Sequence, residues 1–107
     1  MNSIQANGIN IRFEVQGSGP WVALSHSLSC DLTMWDALAV ALAPTFTVLR
    51  YDTRGHGQTS LPTAAPEGPY RFDQLVGDVV GLLDALNIER THFVGLSMGG
   101  MIGQHLA

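Results

Sequence analysis

A serine set between closely spaced glycines restricts the fold of this chain more than any other feature. Residues 95–99 read Gly-Leu-Ser-Met-Gly and so match the pattern G-x-S-x-G. Phe93 and Val94 precede it as strand residues should, and residues 98–107 contain no proline, so they can form a helix. In such a sequence the serine occupies a strained turn between a strand and a helix, and the glycines allow close backbone packing. We therefore expect a strand, a very sharp turn at Ser97 and a helix.

The predicted turn gives Ser97 the position of a nucleophile. Only a turn this sharp lifts the serine Oγ clear of a sheet. The helix that follows directs its free backbone N–H groups and the positive end of its dipole toward that oxygen. We therefore expect the backbone N–H of Met98 to bind a negatively charged oxygen formed during attack by Ser97.

The composition is that of a globular protein with one modest core. The chain has 107 residues, of which 46% are hydrophobic and 13% are charged, and this balance argues against disorder. Its positive residues are scattered arginines and its net charge is −4, so we expect no nucleic-acid partner.

The sequence also carries no signal for a membrane or for secretion. No apolar run approaches the ~20 residues of a membrane span, and the first residues lack the basic and apolar regions of a signal peptide. We therefore expect a cytoplasmic protein with no membrane partner. Cys30 is the single cysteine and cannot form an internal disulfide, so we assign it no function.

The first half of the chain predicts an antiparallel hairpin followed by an inner strand. Asn7-Gly8 favours a two-residue hairpin turn, and residues 9–15 alternate between apolar and polar side chains as in a strand with one wet face. Residues 21–24 form a continuous apolar run that is typical of a strand buried on both faces. Residues 31–43 then favour a helix, which the following proline ends.

The next apolar run is residues 46–51. The segment that follows it, residues 52–57, is rich in charge and glycine. We interpret Asp52 and Arg54 as a local ion pair that locks this loop, because arginine cannot act as a base and its forked donors suit bridging. A direct catalytic role for the pair is the less favoured alternative. Gly55 and Gly57 belong to the same structural loop, and we interpret the histidine between them as a hydrogen-bonded loop residue.

A long helix is predicted next. Three prolines between residues 61 and 69 indicate a surface connection, and residues 72–86 then show the wide apolar stripe of a helix packed on a sheet. Gly77 and Gly81 each cost about 1 kcal/mol in a helix relative to alanine. We therefore expect them where the helix backbone closely approaches another segment.

Strands and helices alternate along the chain. This order predicts an α/β fold, with a mostly parallel sheet covered by helices on both faces and an antiparallel hairpin at its N-terminal end. A dinucleotide-binding fold shares the alternation, but Ser25-His26-Ser27 follow the first inner strand, where that fold requires G-x-G-x-x-G. We therefore disfavour a phosphate-binding fold.

Together these motifs resemble the first half of the α/β-hydrolase superfamily. The resemblance spans nearly the whole chain and rests on four landmarks in order: His26-Ser27-Leu28, the Asp-Thr-Arg-Gly-His-Gly sequence of residues 52–57, the long helix, and residues 95–100. Within the superfamily, the chain looks most like the 3-oxoadipate enol-lactonases, which are hydrolases of aromatic-compound catabolism. That closer resemblance lies in residues 25–36, 50–57 and 95–100.

The resemblance implies a serine hydrolase that acts on a small lactone, an ester or another acyl compound without a cofactor or a metal. By position, Ser97 matches the nucleophile, while Met98 and Leu28 match the two residues whose backbone N–H groups form the oxyanion hole. His26 and Ser27 match positions that we expect near the substrate. A serine at position 97, in place of an aspartate, argues against the related dehalogenases and epoxide hydrolases.

The sequence lacks an evident general base for Ser97. In the resembled fold, the catalytic acid and histidine follow the serine in the chain. Only ten residues follow Ser97, and His105 stands about 12 Å further along the predicted helix, too far to act as its base. His26 is the other candidate, but its loop position suits the oxyanion hole or the substrate better than a base.

Two hypotheses about the chain follow. In the first, residues 1–107 are the N-terminal portion of a single α/β-hydrolase domain, and its partner is the C-terminal portion of the same fold, which is a separate chain, a cleaved piece or a continuation beyond the printed sequence. In the second, the chain is a truncated, catalytically inactive hydrolase that acts only by binding or complementation.

Overall fold

The computed structural model of the chain describes residues 2–59 and 71–107. The strands in these residues are β1 (Asn2–Ala6), β2 (Ile9–Gly17), β3 (Trp21–Ser25), β4 (Thr47–Tyr51) and β5 (His92–Gly95). The α-helices are α1 (Asp36–Leu42), α2 (Phe72–Ala85) and α3 (Met98–Leu106). The strands form one sheet in the order β1-β2-β4-β3-β5. The surface connection predicted around the three prolines lies outside the described residues.

The hairpin predicted at Asn7-Gly8 is present. Ala6 pairs with Ile9, and the two turn residues have φ values of 50° and 81°. The twist of such a left-handed turn matches the twist of the flanking strands, and asparagine and glycine are the residues that tolerate it. Because β2 also pairs antiparallel with β4, the hairpin forms one edge of the sheet.

β3 is the inner strand of the parallel part of the sheet. It pairs in parallel with β4 on one side and with β5 on the other. The apolar residues 22–24 are buried, as the unbroken hydrophobic run predicted. The mostly parallel sheet with an antiparallel N-terminal hairpin is therefore confirmed.

Helices cover both faces of this sheet. On one face, α1 and the turn before it pack on a small core formed by Val22, Leu24, Trp35, Ala39 and Val48. On the other face, α2 and α3 cover a larger core that includes Ile11, Ala23, Leu49, Leu82 and Ile102. None of the helices in the described part of the chain is long and apolar enough to cross a membrane.

The first turn of the helix predicted over residues 31–43 differs from an α-helix. Residues Leu32–Trp35 form a 3₁₀ turn, and α1 begins only at Asp36. The Asp31 carboxylate accepts the Thr33 N–H at 2.9 Å and so caps the tighter turn. The cap fixes where the loop after β3 ends.

Gly77 and Gly81 of α2 lie against the hairpin turn, in agreement with the close approach predicted for them. A Cβ on Gly77 would lie 3.1 Å from the side-chain nitrogen of Asn7, and one on Gly81 would lie 3.4 Å from the Asn7 backbone nitrogen. The two glycines therefore allow the Asn7 side chain to reach Asp78 of the same helix.

Candidate active site

Ser97 stands at a sharp turn between β5 and α3. Its backbone has φ 55° and ψ −111°, outside the ordinary strand and helix regions for a residue with a side chain. Two backbone hydrogen bonds hold the turn, from Gly99 N–H to the Leu96 carbonyl at 3.1 Å and from Met101 N–H to the Ser97 carbonyl at 3.0 Å. Ser97 is exposed. The strand, turn and helix expected around this serine are therefore present, while its role as nucleophile stays a prediction.

The two glycines of the G-x-S-x-G motif allow this turn to pack against β3. A Cβ on Gly95 would overlap the backbone of Gly99, and a Cβ on Gly99 would overlap the carbonyl oxygen of Ser25. The N–H of Leu96 also donates to that carbonyl at 3.2 Å. The turn at Ser97 and the loop that leaves β3 are therefore direct neighbours at the carboxyl edge of the sheet.

The loop after β3 carries Leu28, the second predicted oxyanion donor. Leu28 is 61% exposed. Across residues 2–59 and 71–107, no acceptor takes a hydrogen bond from the backbone N–H of Leu28 or from that of Met98. Both groups are thus available as donors, and their role in an oxyanion hole stays a prediction.

His26 is buried, and both of its ring nitrogens are bonded to protein groups. The Thr53 N–H donates to Nε2 at 2.9 Å, so Nε2 carries no proton and Nδ1 carries one. Nδ1 then donates to the Ser27 carbonyl at 2.8 Å. Burial lowers the pKa of His26 below its usual 6.5, and this effect outweighs the opposing effect of the Ser27 hydrogen bond. The ring is therefore neutral.

These bonds leave His26 no ring nitrogen for a substrate or for a proton from Ser97. The ring joins the loops that follow β3 and β4, and this position differs from the substrate contact predicted from the sequence. Such a contact would require one of the two bonds to break. Ser27, the other predicted substrate contact, is partly buried, and its hydroxyl donates to Cys30 Sγ at 3.2 Å.

Asp52 is fully buried at the end of β4 and binds its own loop and two other segments. Its carboxylate accepts the backbone N–H groups of Leu32 and Gln58, each at 2.8 Å, and lies 3.4 Å from Arg12 Nη1. Gly57 belongs to the same packing, because a Cβ there would lie 2.5 Å from Asp52 Cγ. Asp52 therefore holds its loop in place, as expected, but through different partners.

The ion pair predicted between Asp52 and Arg54 is wrong. Arg54 forms a bidentate pair with Asp78 of α2, with Nε–Oδ2 and Nη2–Oδ1 distances of 2.9 and 2.8 Å. The Asn7 side chain donates to the same carboxylate at 2.8 Å. The hairpin turn, the loop after β4 and α2 therefore meet at Asp78.

Asp78 was not singled out from the sequence, although the sequence contained a signal. It lies on the buried face of α2, where its neighbours Leu75, Val79 and Leu82 are also buried. A carboxylate among apolar side chains needs a charged or hydrogen-bonding partner, because burying an unpaired charge is costly. An acidic residue inside an apolar helical stripe thus predicts a buried ion pair.

A cleft of about 410 Å³ opens between the loops after β3 and β4. It is lined by Leu28, Ser29, Cys30, Gly55, His56 and Gly57. His56 is a hydrogen-bonded loop residue, as interpreted from the sequence, since its Nδ1 donates to the Arg54 carbonyl at 3.0 Å. Of the residues predicted to take part in the reaction, Leu28 lines this cleft, whereas Ser97 and Met98 are not among its described lining residues.

His105 of α3 is turned toward α2. Its Nδ1 donates to the Met101 carbonyl at 2.9 Å, and its ring stacks on that of Phe72 with 5.1 Å between ring centres. No hydrogen bond joins Ser97 Oγ to a histidine in the part of the chain that the structure describes. A general base for Ser97 is therefore not found among these residues.

Residues 20–107, which include the parallel strands, the loop after β3 and the turn at Ser97, match the family described as alpha/beta hydrolase fold. The chain belongs to this family. This membership confirms the fold and the superfamily that we expected from the motifs.

Individual α/β-hydrolases match over nearly the whole chain. The 3-oxoadipate enol-lactonase 2 of Acinetobacter baylyi is 46% identical over 92 residues, which are 86% of this chain and 33% of that protein. The fluoroacetate dehalogenase of a Burkholderia species is 36% identical over 105 residues, 97% of this chain and 34% of that protein. The crystal structure of the enol-lactonase from Burkholderia xenovorans LB400 superposes with a TM-score of 0.91 at 47% identity, covering 99% of this chain and 41% of that one.

This α/β-hydrolase chain spans about a third of the length of the curated relatives it matches. The names of these relatives include both a lactonase and a dehalogenase. Membership of the family therefore establishes the fold, while the activity and the substrate have to be argued from the site.

Proposed function

We propose that this chain supplies the nucleophile and the oxyanion hole of a serine hydrolase that acts on a small lactone or carboxylic ester. The observation that carries the proposal is the backbone of Ser97, whose φ of 55° and ψ of −111° hold a hydroxyl at a sharp strand-to-helix turn. A non-glycine residue in such a conformation costs about 1–3 kcal/mol, and residues of this kind cluster at functional sites.

The proposed reaction proceeds through an acyl-enzyme. Ser97 Oγ forms a bond to the carbonyl carbon while a general base accepts the hydroxyl proton. The tetrahedral intermediate then collapses, the bond to the ester or ring oxygen breaks, and that oxygen takes the proton from the base. Water, deprotonated by the same base, attacks the acyl carbon and releases a carboxylic acid and free Ser97.

The backbone N–H groups of Met98 and Leu28 are the proposed donors to the oxyanion. Met98 is the first residue of α3, so its N–H has no acceptor inside the helix and lies at the positive end of the helix dipole. Leu28 lies in the loop that leaves β3 beside the turn at Ser97. A donor of this kind contributes about 10²–10³-fold to kcat.

We assign the general base and its acid to a C-terminal portion of the same fold. Two observations support this assignment. The chain covers 33% of the Acinetobacter lactonase, so most of a relative lies outside the matched segment. The outer edge of β5 has no strand partner within residues 2–59 and 71–107, so it is open to a further strand.

The narrower proposal for the substrate is 3-oxoadipate enol-lactone, an intermediate in the breakdown of aromatic compounds. Support comes from two relatives of this chain that are named as enol-lactonases for that compound. A serine at position 97 favours acyl chemistry over attack by a carboxylate, and the reaction needs no cofactor or metal. The Ser27 hydroxyl is the proposed side-chain contact with the substrate.

A hydrolase fragment that acts only by binding or complementation is the second candidate. Among the described residues, no strand pairs with the outer edge of β5, and this favours the second candidate because an unpaired strand edge pairs readily with another polypeptide. Val94 and Leu96 beside that edge are 40% and 53% exposed. This candidate differs from the first in that the full-length gene product would show no turnover.

The test is hydrolysis of 3-oxoadipate enol-lactone and of p-nitrophenyl acetate by the full-length gene product. Ser97→Ala should lower kcat by at least about 10³-fold while the protein still unfolds cooperatively. Ser18→Ala, in the exposed turn before β3, is the matched control and should keep the full rate. A folded Ser97→Ala variant with the wild-type rate would refute the proposal. A folded wild type without turnover of either compound, both alone and with the C-terminal portion of the fold supplied as a separate chain, would favour the binding fragment.

A further inference from the structure

The peptide group between Ser27 and Leu28 is held by its carbonyl. The Ser27 carbonyl accepts two hydrogen bonds, from His26 Nδ1 at 2.8 Å and from the Cys30 N–H at 3.1 Å. The carbonyl and the N–H of a trans peptide are coplanar and point in opposite directions. Fixing the Ser27 carbonyl therefore fixes the direction of the Leu28 N–H.

His26 is itself fixed from the far side of its ring. The Thr53 N–H can only donate, so its bond to Nε2 places the ring proton on Nδ1, where it faces the Ser27 carbonyl. At the other end of the same loop, the Leu32 N–H is bound by the Asp52 carboxylate at 2.8 Å. The loop after β3 is thus tied at both ends to the segment after β4.

The two bonds of His26 do different things. The bond to Thr53 links two loops that are 27 residues apart in sequence. The bond to Ser27 joins neighbouring residues, so it adds no link between distant segments and acts only on the orientation of one peptide group. The ring is 0% exposed, so it cannot reach a substrate directly.

We propose that His26 is a positioning residue whose Nδ1–H bond to the Ser27 carbonyl aims the Leu28 N–H at the oxyanion formed on attack by Ser97. This inference rests on the proposed serine hydrolase function. Without the bond, only the Cys30 N–H holds this carbonyl, so the direction of the Leu28 N–H is less well fixed and the oxyanion loses part of one donor. Binding of the uncharged substrate carbonyl changes little, so kcat falls while KM is nearly unchanged.

Two substitutions in the full-length gene product separate the two bonds. In His26→Asn the amide nitrogen takes the place of Nδ1, so the bond to Ser27 can form and the bond to Thr53 cannot. In His26→Gln the longer amide reaches the place of Nε2, so the bond to Thr53 can form and the donor to Ser27 is lost.

We expect the glutamine variant to lose about 10–100-fold in kcat and to keep KM within about threefold, whereas the asparagine variant keeps kcat within about threefold. His105→Gln, at an exposed histidine that also bonds a backbone carbonyl, is the matched control and should not change kcat. A glutamine variant with the wild-type kcat would overturn the inference. So would an asparagine variant that loses as much kcat as the glutamine variant.

Three further outcomes keep the inference separate from folding and from the proposed function. If the glutamine variant does not unfold cooperatively, the asparagine variant decides alone, and a tenfold or larger loss of kcat at unchanged KM counts against the inference. Imidazole ¹⁵N NMR of the wild type reads the tautomer without any substitution, and a proton on Nε2 would overturn it. If Ser97→Ala keeps the wild-type rate, or the wild type has no turnover, the proposed function fails and the inference falls with it.

Discussion

Gly99 of α3 lies directly against the carbonyl of Ser25 at the end of β3. A Cβ on Gly99 would lie 2.6 Å from the Ser25 carbonyl carbon and 2.9 Å from its Cβ, so no side chain fits between the two segments. The same carbonyl accepts the Leu96 N–H at 3.2 Å. This contact sets the distance between the turn at Ser97 and the loop that carries Leu28.

Gly99→Ala should lower the free energy of unfolding by about 3 kcal/mol, because the clash is with backbone atoms that cannot rotate away as a side chain can. Gly100→Ala is the matched control, since the nearest atom to a Cβ there is the Gly95 oxygen at 3.3 Å. Its effect should stay below about 1 kcal/mol. Urea unfolding of the two variants measures the difference, and equal stabilities would contradict the packing described here.

Arg54→Ala should lower the free energy of unfolding by about 3–5 kcal/mol, because it leaves the buried carboxylate of Asp78 without its charged partner. The control is Arg71→Ala. The pair of Arg71 with Asp73 is 71% exposed on both sides, so its loss should cost less than about 1 kcal/mol. If Arg54→Ala left the thermal midpoint unchanged and abolished turnover, Arg54 would instead be a contact for a substrate carboxylate.

The features that could be predicted from the sequence are those set by neighbouring residues. The hairpin at Asn7-Gly8 and the turn at Ser97 both need backbone conformations that few residue types adopt. Short patterns therefore identify them. The inner strand β3 was predicted for a similar reason, because a continuous apolar run is stable only when it is buried on both faces.

The features that could not be predicted depend on which segments become neighbours in the fold. Arg54 binds a carboxylate 24 residues away, and Asp52 binds an arginine 40 residues away. A prediction from spacing along the chain therefore assigns the wrong partner to both residues. The His26 ring is bound by an N–H of the segment after β4. That segment lies beside His26 only because β3 and β4 are adjacent strands. Sequence position alone placed this ring near the substrate.

Leu28→Pro tests the second oxyanion donor, because proline lacks the backbone N–H. We expect kcat to fall about 10²–10³-fold with KM within about threefold. Leu28→Ala keeps the N–H and changes only the side chain of a residue that is 61% exposed, so its kcat should stay well above that of the proline variant. Thermal unfolding of both variants checks that the loop after β3 is intact. Equal rates for the proline and alanine variants would exclude this N–H from the reaction.

Ser97→Gly should unfold at a higher temperature than Ser97→Ala, although both variants lack the nucleophile. Alanine retains the Cβ that is strained at φ 55°, whereas glycine adopts this conformation freely. The difference in the free energy of unfolding should be about 1–2 kcal/mol in favour of glycine. An alanine variant as stable as the glycine variant would mean that the turn relaxes in the folded protein and stores no strain.

Acid should weaken the loop after β3 through His26. Burial lowers the pKa of this ring below its usual 6.5, and His56, with ring centres 5.3 Å apart, acts in the same direction. The Ser27 hydrogen bond and the carboxylates of Asp52 and Asp31 oppose the shift without reversing it. Between the two pKa values the unfolded chain binds more protons than the folded chain. Stability from the neutral ring is therefore fully present above about pH 6.5 and is lost as the pH falls through the lowered pKa.

The free energy of unfolding of the wild type should therefore decrease from about pH 7 toward about pH 5, with a contribution from His26 of at most about 1.4 kcal/mol per pH unit. His26→Asn removes this titration and leaves the carboxylates and the other histidines in place. The free energy of unfolding of this variant should therefore fall less steeply over the same range. Urea unfolding at a series of pH values measures both slopes. Equal slopes would mean that folding does not lower the pKa of His26, contrary to the burial of the ring described here.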